Sequence, residues 1–248
     1  MRIEGDTEMG YTIHQEFTID EMLDRHGLKD ANSVKAPKSE LEMYEELNEL
    51  LPVKSSGNAP TVKSFHSFVG SLLWISRCTR PDIYFALHRA TRRTHAPTLM
   101  DYKVAKRIAR YLKGTRSLKL CLEHDDGMST PLRITNNSDA DFAADKDDRK
   151  SISANVIYVN GIIAGWNCKK QGTVAFSTAE AEFVVAAVGG REALGLKELF
   201  EEFGIQSKTP IILKIDNQAA IRQLESGASS KHADVKLKFK KTMRKKAP

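Results

Sequence analysis

Ser177-Thr178-Ala179-Glu180-Ala181-Glu182-Phe183 is the stretch on which the reading of the fold turns. It opens a helical pattern that runs from Thr178 to Phe203 and is weakened at Gly189-Gly190. Upstream, Leu132-Arg133-Ile134-Thr135 predicts a strand that leads to Ser138-Asp139-Ala140. Ser153 to Val159 is β-branched and aromatic and runs into Asn160-Gly161, a hairpin turn signal, so Ile162 to Cys168 is its expected partner strand. Downstream, Pro210-Ile211-Ile212-Leu213-Lys214-Ile215 is a continuous apolar run, expected as a central strand. It ends at Asp216-Asn217-Gln218, and a short helix follows from Gln218 to Leu224. From Leu132 onward the order is strand, strand, strand, helix, strand, helix, an α/β pattern.

Three carboxylates stand out in that order. Asp139 and Asp216 end two strands, and Glu182 lies in the first turns of the intervening helix. Such groups can converge on a pair of divalent cations, which clamp the attacking and leaving oxygens of a phosphodiester. Each also fits a simpler role. Asp139 suits a turn, Glu180 and Glu182 suit the positive end of a helix, and Asp216 suits an N-cap. Taken together and in sequence, they favour convergence.

The first half of the chain reads differently. Tyr11 to Gln15 predicts a short strand, and Phe17 to Leu28 an amphipathic helix closed by Gly27. Pro52 to Pro60 is expected as a loop. Apolar spacing predicts helices over 64–74, from Pro81 to Ala90, and from Met100 to Lys113, the last ending at Gly114. That last helix carries Lys103, Lys106, Arg107, Arg110 and Lys113 on a charged side, which suits phosphate contact or an ordinary solvated face. Leu118 to Leu122 predicts another strand, and the character of the chain changes near residue 117.

Charge is unevenly spread over the 248 residues, whose net charge is +6. Met1 to Leu50 holds 13 acidic and 5 basic residues, Leu73 to Leu120 holds 12 basic and 2 acidic, and Lys231 to Pro248 holds 8 basic and 1 acidic. An acidic front with two basic blocks suits a nucleic-acid partner. The 3 cysteines, Cys78, Cys121 and Cys168, have no zinc-like spacing and read as reduced thiols of an intracellular protein, cytoplasmic or nuclear. No apolar run approaches the roughly 18 residues that a membrane span needs, so no membrane partner is expected.

The motifs resemble a known family. Asp139-Ala140-Asp141-Phe142-Ala143, Asp147-Asp148-Arg149-Lys150-Ser151, Lys169-Lys170-Gln171, Ser177 to Phe183 and Asp216-Asn217-Gln218-Ala219-Ala220-Ile221 are similar to the ribonuclease H domain of copia-type LTR retrotransposon polyproteins. Val69-Gly70-Ser71-Leu72, Thr79-Arg80-Pro81-Asp82-Ile83, His95-Ala96-Pro97-Thr98 and Lys106 to Thr115 resemble the segment after the polymerase core of the same polyproteins. The resemblance implies a mostly helical reverse-transcriptase thumb or connection remnant over 1–116 and an RNase H-like domain, a mixed sheet flanked by helices, over 117–248. It implies that Asp139, Glu182 and Asp216 are catalytic and bind two Mg²⁺ (or Mn²⁺) ions, with Asp139 bridging them. The implied partner is an RNA–DNA hybrid or other nucleic acid, with the remaining polyprotein segments alongside in an intact element. Asn217 and Gln218 are candidates for 2′-hydroxyl contacts in the minor groove. Lys103, Lys106, Arg107 and Arg110 are candidates for phosphates.

The chain also departs from the family. The polymerase Tyr-x-Asp-Asp strand is not present. Lys231-His232-Ala233-Asp234 matches a family stretch, but a fifth strand, a last helix and a fourth metal-binding aspartate are expected to be missing beyond it. Asp234 is too early in the chain for that fourth ligand. The basic run from Lys236 to Lys246 also fits a nuclear-localisation signal. The leading expectation is therefore a retroelement-derived, truncated ribonuclease H-like domain whose family chemistry is two-metal hydrolysis of the RNA strand of RNA–DNA hybrids, with activity or inactivity of this copy left open. The alternatives are a non-catalytic nucleic-acid-binding remnant and a non-functional element fragment.

Overall fold

The computed structural model describes residues 1–6, 10–37, 49–54, 59–122, 131–145 and 147–226. The expectations for Asp234, for a missing fifth strand and for the basic tail fall outside the described residues. Together the described residues form an α/β protein that divides between Leu122 and Glu123 into two compact units.

In the first unit, β1 (Arg2–Asp6) and β2 (Gly10–His14) form an antiparallel hairpin, and β3 (Leu120–Leu122) pairs antiparallel with β2. β1 was not foreseen. It is short, and a glycine at each side of the turn weakens its signal: Gly5 has φ 118 and Gly10 φ 83. A Cβ on Gly5 would meet the Gly10 carbonyl oxygen at 2.1 Å, so the close approach itself requires glycine. The strand expected at 118–122 forms only over its last three residues and belongs to this sheet, because Tyr11, Thr12 and Ile13 offer the open edge.

Among the described residues, four helices complete the unit. α1 (Glu16–Arg25) turns its Ile19, Met22 and Leu23 inward and stops before Gly27, at φ 65. α2 (Val62–Cys78) starts two residues earlier than its apolar spacing suggested, because Thr61 and Ser64 form a reciprocal capping box. A 3₁₀ turn over Pro81–Ile83 leads into α3 (Tyr84–Thr91), and α4 (Leu99–Gly114) begins at a second capping box between Thr98 and Asp101. Phe65, Phe68, Leu72, Ile75, Leu87, Ile108 and Leu112, all fully buried, form the core with the inner face of α1. At its margin the buried Arg80 guanidinium donates to both Asp82 carboxylate oxygens (2.9 and 2.7 Å) and to the Thr115 carbonyl and hydroxyl (2.9 and 2.7 Å).

The second unit contains β4 (Ile134–Asp141), β5 (Ile152–Val159), β6 (Ile162–Lys170), α5 (Thr178–Glu202), β7 (Ile212–Ile215) and α6 (Gln218–Ser226). Its sheet order is β6-β5-β4-β7. β5 is antiparallel to both β4 and β6, whereas β7 runs parallel to β4. The β5–β6 turn forms as its sequence predicts, with Asn160 at φ 49 and Gly161 at φ 87. Apolar faces of α5 and the sheet meet around Ile134, Ile157, Ala193 and Ile211, and Phe183, Ala186 and Leu224 join α5 to α6.

One expectation is corrected here. β7 is not central: among the described residues it has a neighbour only on its β4 side. Its apolar run alternates between the two environments, with Ile211 buried and Ile212 40% exposed, so composition overstated its burial. Among the described strands, the interior ones are β4 and β5.

Candidate metal centre

Parallel pairing decides where the acids go. Ser138 of β4 sits opposite Ile215 of β7, so the next residue of each chain, Asp139 and Asp216, emerges at the same end of the sheet. α5 begins at that end. Ser177 caps it by accepting the Glu180 N–H at 3.1 Å, and the Gln171 side-chain amide donates to the Ala181 carbonyl at 3.0 Å and to Ser153 Oγ at 3.0 Å. The helix thus starts against the sheet, and Glu182 is delivered to the tip of β4, where its Oε1 accepts the Ala140 N–H at 2.9 Å.

Asp139, Glu182 and Asp216 each offer an oxygen, and these oxygens all lie within 4.8 Å of one another. Asp139 and Asp216 are exposed, and Glu182 is buried. Burial first, and then the charges of Asp139 and Asp216, push the Glu182 carboxyl up to about 7, against the opposing effect of the Ala140 N–H. Its second oxygen is buried and has no hydrogen-bond partner. A bound cation would satisfy that oxygen and remove the repulsion at once, so the residues present fit a divalent metal.

Simpler roles for the neighbouring acids are filled by other groups. Glu180 turns back to accept the Phe176 N–H at 2.7 Å. The cap of α6 is Asn217, whose Oδ1 accepts the Ala220 N–H at 3.0 Å, so Asp216 is released from capping. Gln218 is exposed beside it.

The β4–β5 loop is fixed by residues whose part was not foreseen. Lys170 Nζ bonds Asp145 at 2.6 Å and Asp148 at 2.8 Å, and the Ala143 N–H donates to Ser151 Oγ at 3.1 Å. Those hydrogen bonds hold the Lys170 ammonium above its usual pKa, and the bond from Lys170 holds Asp148 below the usual carboxylate range. The sequence signal was present in Asp147 to Ser151 and in Lys169 to Gln171, but only contact shows that one motif clasps the other.

Lys103, Lys106, Arg107 and Arg110 all lie on α4 of the first unit. Arg110 Nε donates to the Asn32 carbonyl at 2.6 Å and Lys106 lies 5.8 Å over the Tyr102 ring, whereas Lys103 is exposed.

Comparison with known proteins settles the ancestry. The chain is 34% identical over 228 residues, 90% of its length, to the retrovirus-related Pol polyprotein from transposon TNT 1-94 of Nicotiana tabacum. It is 32% identical over 170 residues, 68% of its length, to the corresponding polyprotein from transposon RE2 of Arabidopsis thaliana, and 35% identical over 156 residues, 63% of its length, to that from RE1. The chain belongs to the copia-type, retrovirus-related Pol polyproteins of transposons. The chain spans 17% of the TNT 1-94 polyprotein, 11% of RE2 and 10% of RE1, so these relatives carry further segments of the element. No family model and no solved structure matches it. Among the described residues, no helix is long and apolar enough to cross a membrane.

Proposed function

We propose that the second unit is a ribonuclease H-like domain that hydrolyses the RNA strand of RNA–DNA hybrids with Mg²⁺ or Mn²⁺. The observation that carries this reading is the convergence of Asp139, Glu182 and Asp216 from two parallel strand ends and one helix. The strand order β6-β5-β4-β7, with only β4 and β7 parallel, supports the same reading.

In this proposal the three carboxylates hold the cations. When bound, these supply Lewis-acid stabilisation of phosphoryl charge and a water acidic enough to attack at neutral pH. Glu182 enters with a raised pKa and must release its proton to bind, so binding and deprotonation are linked. Ala140 fixes the orientation of the Glu182 carboxylate through its N–H, and the Lys170 clasp ties the neighbouring loop to the end of β6 through Asp145 and Asp148. Gln218, exposed two residues after Asp216, is our candidate for contact with a 2′-hydroxyl, while Asn217 can offer only its NH₂ because its oxygen caps α6. Lys103 and Lys106 on α4 are assigned to phosphates.

The test is cleavage of a labelled RNA–DNA hybrid by the purified chain with Mg²⁺ or Mn²⁺, beside an Asp139→Asn control. Metal-dependent loss of the RNA strand, absent in the control, is the expected result. A cooperatively folded chain that binds the hybrid and never cuts it would overturn the reading.

A further inference from the structure

Among the described residues, Phe176 is the most exposed large apolar residue of the second unit, at 91%. It directly precedes Ser177, the cap of α5, so it occupies the position from which an apolar residue ordinarily folds onto the residue at the fourth helical position. That residue is Ala181, which is already fully buried, and the ring does not cover it. The backbone is nonetheless held: the Phe176 N–H is bonded to Glu180, and the Glu180 N–H to Ser177. A large ring is thus presented to solvent from a fixed base, at the start of the helix that carries Glu182. A second ring, Phe142, 37% exposed, follows Asp139 by three residues.

A cation lies at the same end of the sheet as Asp139: Lys169 pairs with Ser153, which pairs with Ala140. Asn167 and Lys169 of β6, and Gln171 just after its end, alternate onto one side of the chain. Asn167 bonds Glu192 of α5, and Gln171 bonds Ala181 of α5. Lys169, between them, therefore lies on the α5 side of β6, and it is exposed. Among the described residues it makes no ion pair, in contrast to Lys170. The end of the unit that holds the carboxylates therefore also carries an unburied aromatic ring and an unneutralised ammonium. Aromatic surface with adjacent cations is the combination that binds a nucleic-acid strand, the ring meeting a base or sugar and the cation a phosphate.

We infer that Phe176 and Lys169 form a contact for a nucleic-acid strand beside the acidic centre, with Phe176 meeting its apolar sugar or base surface and Lys169 its phosphate. This rests on the nuclease reading for the identity of the partner, but is tested separately from it.

The experiment is fluorescence anisotropy of a labelled RNA–DNA hybrid, blunt or with a single-stranded overhang. It is run in Ca²⁺ over a series of salt concentrations, with wild type, Phe176→Ala, Phe176→Trp and Lys169→Ala. Because Phe176 is exposed, its replacement should leave the thermal melt unchanged. The expected result is that Phe176→Ala weakens binding about fivefold or more, the lower end of what one base–aromatic contact gives, and that Phe176→Trp restores it. The slope of log affinity against log salt should be unchanged by Phe176→Ala and should fall by about one unit in Lys169→Ala. Loss with both substrates assigns the ring to a sugar edge, and loss only with the overhang assigns it to an unpaired base. Wild-type affinity of Phe176→Ala for both substrates overturns the inference. Wild-type binding without cleavage in Mg²⁺ would sink the nuclease reading and leave the contact standing. A wild-type chain that binds neither substrate overturns both.

Discussion

Glu182 is the residue at which site and stability conflict. It is buried with one oxygen lacking a partner, beside two other acids, so in the metal-free protein it is easier to fold protonated. Its folded pKa of about 7 lies above the ordinary glutamate value of 4.5, so the folded state binds the proton more tightly. The stability it contributes is then fully present below about 4.5 and is lost as the pH rises through about 7. With chelator present, the melting temperature should fall across that window in wild type, and the fall should be much smaller in Glu182→Gln. Equal pH slopes in the two proteins would show that Glu182 is not the group responsible. Arg80 is the opposite case, a buried charge with every partner in place. Burial raises the Asp82 carboxyl, but hydrogen bonds and charge from Arg80 outweigh it and hold the carboxyl below its usual range. Arg80→Ala should cost about 1.5–3 kcal/mol in urea unfolding, since it removes four hydrogen bonds from a buried guanidinium, although Asp82 keeps the Tyr111 hydroxyl and the Thr115 carbonyl keeps the Leu118 N–H. Arg80→Lys should recover little of this, because an ammonium cannot span the Asp82 carboxylate and Thr115 together.

At the scale of elements, α5 shows why a helix can carry an unfavourable residue. Gly189 faces the sheet, and a Cβ there would meet Asn155 Oδ1 at 2.3 Å and Asn136 Oδ1 at 2.4 Å. Both asparagines are almost wholly buried and have no space to swing aside. Gly195, on the same helix, has nothing within 4 Å of its would-be Cβ and is exposed. Gly195→Ala should therefore stabilise by up to about 1 kcal/mol from helix propensity alone. Gly189→Ala should destabilise by about 1–3 kcal/mol, since overpacking outweighs that gain. Urea midpoints of the two variants moving in the same direction would refute the distinction. The Gly189-Gly190 pair was legible in the sequence only as a weakness, because its justification lies in side chains of two other strands. The same limit applied elsewhere. The long helix, the Asn160-Gly161 hairpin and the basic helix α4 are local patterns and could be read directly. The partner of β3, the edge position of β7 and the clasp of Lys170 on Asp145 and Asp148 are pairings between distant residues, and no local period encodes them. The acids were legible as a set because strand ends and helix starts fix direction. That Asn217, and not Asp216, caps α6 required the observed bond.

For the whole molecule, the arrangement predicts how binding and folding should be linked. Three acids within 4.8 Å of one another lower the stability of the metal-free chain, as expected where function and stability compete. In chelator, Asp139→Asn should therefore melt at a higher temperature than wild type, because it removes one repulsive charge and costs no core contact, the residue being exposed. Adding Mg²⁺ should reverse the order. A ligand at about 100 times its Kd stabilises the folded state by about 2.7 kcal/mol, and only the protein with all three carboxylates can take up that increment. Arg80→Ala is the control. Its lesion lies in the other unit, among Asp82, Tyr111 and Thr115, so it should lower stability and leave the Mg²⁺ increment intact. Thermal melts of the three proteins with and without Mg²⁺ separate the possibilities. An increment that survives Asp139→Asn would place the cation elsewhere. One that vanishes in Arg80→Ala would mean that the metal response reports global folding, not the acids at the ends of β4 and β7.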